Sequence, residues 1–276
     1  MKTREAAVAG SFYPGTKKEI DTLLDRILSH EKQNIRTELA SKNLIGAIVP
    51  HAGYIFSAYE AVHVFEILKK SQVQFDTFFI INPNHTGYGK EIEIDSNERW
   101  ETPLGYVETD LDFIQNLGLP VSDTAQMREH SGEVMLPFLQ KWLDYPYKII
   151  PICILRQNPS TAREIAEKIF NANKVVNKKI FIIASSDFSH FVTPQTGKEK
   201  DDLVLKEIEN LDSDQLYDTV LKNHISVCGY GPIMTLIEYA RLIARKPETT
   251  ILARGHSGKT MPSSSVVDYV SILFYH

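Results

Sequence analysis

Four short apolar runs, separated by amphipathic helical stripes, constrain this 276-residue chain more than any other feature. They are LIGAIV at 44–49, FDTFFII at 75–81, KIIPICIL at 148–155 and KIFIIA at 179–184. Each is too short for a buried helix and is rich in β-branched and aromatic residues, so each predicts a buried strand. Ala58, Ala61, Val62, Phe65 and Leu68 form one helical stripe between them, and Ala162, Ile165, Ala166, Ile169 and Phe170 another. Strands alternating with helices predict an α/β fold, a mostly parallel central sheet covered by helices on both faces. There is no internal repeat and no low-complexity linker, so residues 1–276 are expected to form a single domain.

The remaining elements read less regularly. Thr16 and Glu19 form a capping box before a stripe from Ile20 to Leu28, and Asp110 caps a short helix that Gly118 and Pro120 end. Ser57 and Glu60 read as a second capping box opening the helix after 44–49. Ser131 is placed to cap a helix over 132–143, with Glu133 matching its dipole. Pro151 inside the third run predicts an irregularity or an edge. Residues 92–94 and 106–109 read as short strands, paired in a hairpin around 103–105. The stretches 249–253 and 266–275 close the chain as strands.

The residues just beyond the apolar runs carry the chemistry. Pro50 cannot donate to a central ladder, so the first strand stops and delivers His51. The second ends in Asn82-Pro83-Asn84-His85, and the fourth in Ser185-Ser186-Asp187-Phe188-Ser189-His190. Parallel strands bring their carboxyl ends to one rim, where open α/β sheets bind ligands, so these groups could converge. Cys228 lies in a Gly- and Pro-rich loop before a helix, a placement expected to lower its thiol pKa. Two imidazoles and a thiolate suit iron, zinc or copper rather than magnesium.

Each residue also has a plainer reading. Taken alone, His51 is equally a turn histidine bonded to a carbonyl. His63 reads as a surface or satisfied helix histidine, and His30 and His224 as helix-end residues. Cys153 reads as a small core residue. Ser185 and Ser186 near Asp187 and His190 could suggest a hydrolase triad, but no GxSxG elbow is present.

Composition excludes some classes. The net charge is −5 and there is no basic block, which argues against a nucleic-acid groove or a polybasic membrane patch. No apolar run approaches the roughly 20 residues that span a bilayer, and the first ten residues lack the apolar core of a signal peptide. Two cysteines make no disulfide framework, so a reducing, cytoplasmic setting is expected.

Six stretches together resemble the Memo family: REAAVAGSFYP (4–14), VPHAGYIFS (49–57), NPNH (82–85), EHSGEVMLPFLQ (129–140), SSDFSH (185–190) and CGYGPI (228–233). Microbial members of that family are labelled AmmeMemoRadiSam system protein B. The resemblance implies a fold similar to class III extradiol dioxygenases and a metal held by two histidines and a cysteine, here His51, His85 and Cys228. It also implies that Asp187, His190 and His130 line the same cleft. This chain has Asn82 where many relatives have glycine, which is expected to narrow the approach to His85. The dioxygenases use two histidines and a carboxylate; a thiolate here changes donor softness, so ring cleavage does not carry over with the fold.

Two functional expectations result. One is a metal-dependent redox enzyme holding Fe(II) or copper, with zinc as a further option. His190, oriented by Asp187, would act as acid or base, and His130 would stabilise bound oxygen or substrate. The other is a non-catalytic adaptor whose cleft binds an acidic or phosphorylated peptide or a small ligand, with the histidines and Arg128 as donors. A metal hydrolase ranks below both, because a thiolate ligand and the lack of a second carboxylate-rich site disfavour it. The microbial label implies the company of an AMMECR1-like protein and a radical-SAM protein. The oligomeric state is open.

Overall fold

The computed structural model describes residues 1–276. In chain order its first elements are β1 (Thr3–Arg4), α1 (Lys17–Glu31), β2 (Leu44–Val49), α2 (Tyr54–Lys70), β3 (Thr77–Pro83) and β4 (Ile92–Ile94). Then come β5 (Arg99–Thr102), β6 (Gly105–Glu108), α3 (Leu111–Leu117), α4 (Leu136–Trp142), β7 (Lys148–Ile154) and α5 (Pro159–Val176). The chain continues through β8 (Ile180–Ser185), β9 (His190–Val192), α6 (Pro194–Glu209), α7 (Ser213–Lys222) and α8 (Tyr230–Ile243). It closes with β10 (Glu248–His256) and β11 (Val266–Tyr275).

The four apolar runs become β2, β8, β3 and β7, four adjacent parallel strands at the centre of an eight-stranded sheet. β11 and β10 continue it as an antiparallel hairpin beyond β2, β4 adds antiparallel to β7, and β9 pairs with β11. The sheet is therefore mixed, with a parallel heart. Successive side chains of a strand point to opposite faces. Accordingly Ile48 of β2 enters the core beneath α3, α5, α6, α7 and α8, while Ala47 and Val49 enter the core beneath α1, α2 and α4; a register shift against β11 between Leu44 and Gly46 lets Ile45 join the side of Ile48. Burial on both sides explains why the central strands carry no polar alternation.

Register sets up the rim. Val49 stands opposite Ser185, and Ile81 opposite Ala184. The residues beyond these positions therefore leave the sheet at one level.

Several local readings are revised. Pro151 lies within β7, next to the edge strand; its carbonyl accepts from Asp95 N–H, so its nitrogen faces that side, away from β3, and no central ladder bond is lost. β4 belongs to the main sheet. The hairpin around Pro103 and Leu104 is β5 with β6, which with β1 forms a separate three-stranded sheet. β5 (RWET) was hidden by its charges, Arg99 and Glu101, alternating with buried Trp100 and Thr102. α2 starts at Tyr54 without a side-chain cap, because the Phe12 carbonyl accepts its N–H. Ser57 instead donates to the Ala52 carbonyl, and Glu60 is buried. The expected helix over 132–143 is a short 3-10 turn at Glu133–Met135 followed by α4, and Ser131 does not cap it. Thr16 and Asp110 do cap α1 and α3, and Gly118 ends α3 at a φ of 59°. No helix is long and apolar enough to cross a membrane.

Candidate metal centre

His51 lies just past the end of β2, after Pro50, and is 2% exposed. Its backbone N–H donates to Asp187 Oδ1 at 2.7 Å, and Ala52 N–H donates to the same oxygen at 3.3 Å. Ring Nδ1 lies 2.7 Å from Ser185 Oγ, and Nε2 lies 3.1 Å from Cys228 Sγ. The Ser185 hydroxyl gives its one proton to the Ser131 carbonyl at 2.7 Å. It can then only accept from His51, so the network assigns the proton to Nδ1 and leaves a bare Nε2 lone pair facing the sulfur. Burial, reinforced by the neighbouring His130 and His85, pushes the His51 pKa well below its ordinary value and keeps the ring neutral.

Cys228 reaches His51 because its loop presses against the end of β8. A Cβ on Gly229 would lie 2.3 Å from the Ser185 carbonyl oxygen, so only glycine permits this approach. Gly229 N–H donates to Ser186 Oγ at 2.9 Å, and Gln157 Nε2 donates to the Cys228 carbonyl at 2.8 Å. Asp187 N–H donates to the sulfur at 3.2 Å. The expected low thiol pKa is corrected: burial, and then the charge of Asp187, push it up and outweigh these donors.

His85 leaves β3 through a turn in which Asn84 Oδ1 accepts from Gly87 N–H at 2.8 Å. Its backbone N–H and ring Nδ1 meet the two oxygens of Glu129 at 2.6 and 2.9 Å. Ser131 donates to Glu129 Oε1 from its N–H at 3.0 Å and its hydroxyl at 2.7 Å. Burial acts to raise the Glu129 pKa, but these donors and the two histidines overcome it and hold it at about 2. An ionised Glu129 can only accept, so His85 carries its proton on Nδ1 and keeps Nε2 free.

His130 completes a triangle of rings. Its centroid lies 5.4 Å from that of His51 and 4.7 Å from that of His85, which are themselves 5.2 Å apart. Burial, with His85 adding to it, lowers its pKa to about 4 against the pull of Glu129. Phe12 packs on its other side at 4.4 Å. The ligand atoms of His51, His85 and Cys228 all lie within 4.8 Å of one another, as do those of His85, Glu129 and His130. Both oxygens of Glu129 are already taken by N–H and O–H donors, so in the second group it acts as an orienter. The first group offers two bare imidazole nitrogens and one sulfur, a donor set that fits iron, copper or zinc.

Asp187 and His190 are not linked as expected. Asp187 bonds the backbone of His51 and Ala52, and burial pushes its pKa up to about 6 despite those amides. It does not orient His190, whose Nδ1 donates to the Ser226 carbonyl at 2.8 Å. Asn82 does not narrow the way to His85: its side chain is buried, accepting from Gln126 Nε2 at 2.7 Å and pointing its amide toward Cys153. Arg128 is exposed, and Cys153 is a buried free thiol. His63 is buried rather than at the surface, with Nε2 3.2 Å from Glu31.

Three residues of the network escaped sequence reasoning in these roles: Glu129, Ser131 and Ser185. The one usable signal was the adjacency of Glu129 to His130. Glu133, read as a dipole partner, instead anchors the N-terminal motif. Arg4 Nη1 meets its carboxylate at 2.6 Å, and Ala7 N–H, Val8 N–H and Tyr13 O–H donate to it at 2.8, 3.0 and 2.7 Å. That strap carries Phe12 onto His130.

The model of a family described as Memo-like protein matches residues 4–273. A MEMO1 family protein of Methanosarcina acetivorans is 36% identical over 277 residues, covering 99% of this chain and 99% of its own. One of Desulfurococcus amylolyticus is 36% identical over 285 residues, covering 100% of both. The crystal structure of the uncharacterized protein JW3007 from Escherichia coli K12 superposes with a TM-score of 0.51 at 13% identity, over 77% of this chain and 91% of that one. At that identity the likeness speaks for the fold alone.

Proposed function

This chain belongs to the Memo family, and from that membership and the geometry at the sheet rim we propose a metal-binding redox protein centred on His51, His85 and Cys228. The observation that carries the reading is the bare Nε2 of His51, held 3.1 Å from the Cys228 sulfur by a fixed tautomer. A metal-ligating histidine requires a partner that holds its far ring nitrogen, and Ser185 and Glu129 provide one for each ring. Fe(II) or copper is the preferred occupant, with zinc as a redox-silent competitor. Iron or copper held there would supply one-electron chemistry toward a small ligand. His130, neutral at pH 7 and beside both ligand rings, is suited to hydrogen-bond that ligand. His190, with Nδ1 tied to Ser226, keeps Nε2 available as a proton acceptor.

Anaerobic purification, loading with Fe(II), copper or zinc, and metal analysis test the centre. About one ion per chain is expected, with binding weakened in Cys228→Ser. Normal metal retention in that variant overturns the assignment.

A second reading, a cleft that binds a peptide or small ligand without turnover, is favoured by one observation. Phe191 is 80% exposed beside the His190 ring, at a positive φ of 57° that costs a bulky residue energy. Oxygen consumption across a catechol panel with iron-loaded protein separates the readings. Turnover that disappears in His51→Ala excludes a purely binding role.

A further inference from the structure

A second cleft, of about 630 Å³, opens between α2 and β10 and includes none of the proposed metal ligands. That volume lies within the usual range for small-molecule sites. α2 turns Phe56, Tyr59, Glu60 and His63 toward it, a spacing that places them on one helix face. Glu60 is 5% exposed and His63 1%. Glu60 Oε2, His63 Nδ1 and His256 Nδ1 are all buried and make no hydrogen bond within the protein. The Glu60 carboxylate is held against β10 by a glycine: a Cβ at Gly255 would lie 1.9 Å from its Oε1.

Most donors of this cleft are engaged, whereas Glu60 Oε2 and His63 Nδ1 are not. Arg254 pairs with Asp201 and Asp202. Lys259 Nζ, on a side chain 59% exposed at the rim, donates to the Arg254 carbonyl at 3.1 Å and stays 3.9 Å from Glu60. Thr260 Oγ1 donates to the Ile55 carbonyl at 3.1 Å. His63 Nε2 faces Glu31, whose carboxyl is kept ionised by donors that outweigh its burial, so Nε2 carries the proton and Nδ1 is a bare acceptor. An anion would find few free donors. A metal ion would need ligand atoms converging as they do at the sheet rim, and the cleft has no such group.

We propose that this cleft binds a small organic cation, a protonated amine whose ammonium donates to Glu60 and His63 and whose hydrocarbon lies along Phe56 and Tyr59. Side chains three apart on a helix are neighbours, so one ammonium can reach both acceptors. The aromatic pair adds a face that attracts cations. A buried carboxylate met only by Lys259, at 3.9 Å, is costly to keep, and burial pushes the Glu60 pKa up to about 7. A ligand that donates to it removes that cost.

The test uses the full chain at pH 8 with methylammonium, benzylammonium and 1,4-diaminobutane as probes, and benzoate and benzyl alcohol as controls, read by calorimetry and thermal shift. Binding of at least one amine is expected, with neither control binding. Glu60→Gln should weaken the amine about tenfold or more, and Tyr59→Leu about threefold. Both variants should keep the metal content of the parent, because the cleft does not depend on the rim centre. Absence of binding by all three amines at millimolar concentration overturns the proposal. So does equal binding of benzoate, or an amine affinity unchanged in both variants.

Discussion

Glu129 is ionised in a fully buried position because each of its oxygens meets N–H or O–H donors, including the proton on His85 Nδ1. Its role as orienter makes a specific prediction. Glu129→Gln keeps the shape but offers a carbonyl and an amide where two acceptors are needed. Metal affinity, measured by competition with a chelator dye, should fall about 10- to 100-fold. Glu60 gives the opposite electrostatic case. Its folded pKa of about 7 lies above its ordinary value of 4.5. Between those pH values the folded protein binds more protons than the unfolded chain, so stability falls as pH rises through the window. Glu60→Gln removes this liability. Its melting temperature should exceed the parent's at pH 8, by an amount on the order of 3 kcal/mol in stability, and the gap should close below pH 4.5.

At the scale of elements, the rim depends on how closely the loop before α8 approaches the end of β8. Gly229→Ala would drive a methyl into the Ser185 carbonyl, and the backbone is the part least able to yield. A stability loss of about 1–3 kcal/mol is expected by denaturant titration, with metal binding lost along with the Cys228 position. This level also shows what the sequence could disclose. β2, β3, β7 and β8 were legible because strands buried on both faces must be apolar throughout. The three proposed ligands were legible because two come directly after such strands and the third precedes a helix. Glu129 was not, since its role lies in meeting a backbone N–H and a ring that belong to another loop. The start of α2 was hidden for a similar reason: its cap is the Phe12 carbonyl, far away in the chain. Glu60, read as a cap, could be assigned to a cleft only once β10 was seen to pack across it.

Across the whole molecule, the N-terminal strap ties the small sheet, the 129–133 loop and the rim into one unit. Arg4 is 4% exposed and stacks over Trp100 at 4.0 Å, while its guanidinium bonds Glu133, the Gln126 carbonyl and the Glu129 carbonyl. Glu133, fully buried, relies on this one cation. Removing one partner of such a pair leaves the other charge buried and uncompensated, which costs about 3–5 kcal/mol. Arg4→Ala should therefore lower stability by about that much in urea titrations. The effect should extend to the rim, because Arg4 also holds the carbonyl of Glu129, the residue that orients His85. Weakened metal binding under conditions where the variant is still folded would place the strap in the working of the centre. A loss of stability with metal affinity intact would confine it to the fold.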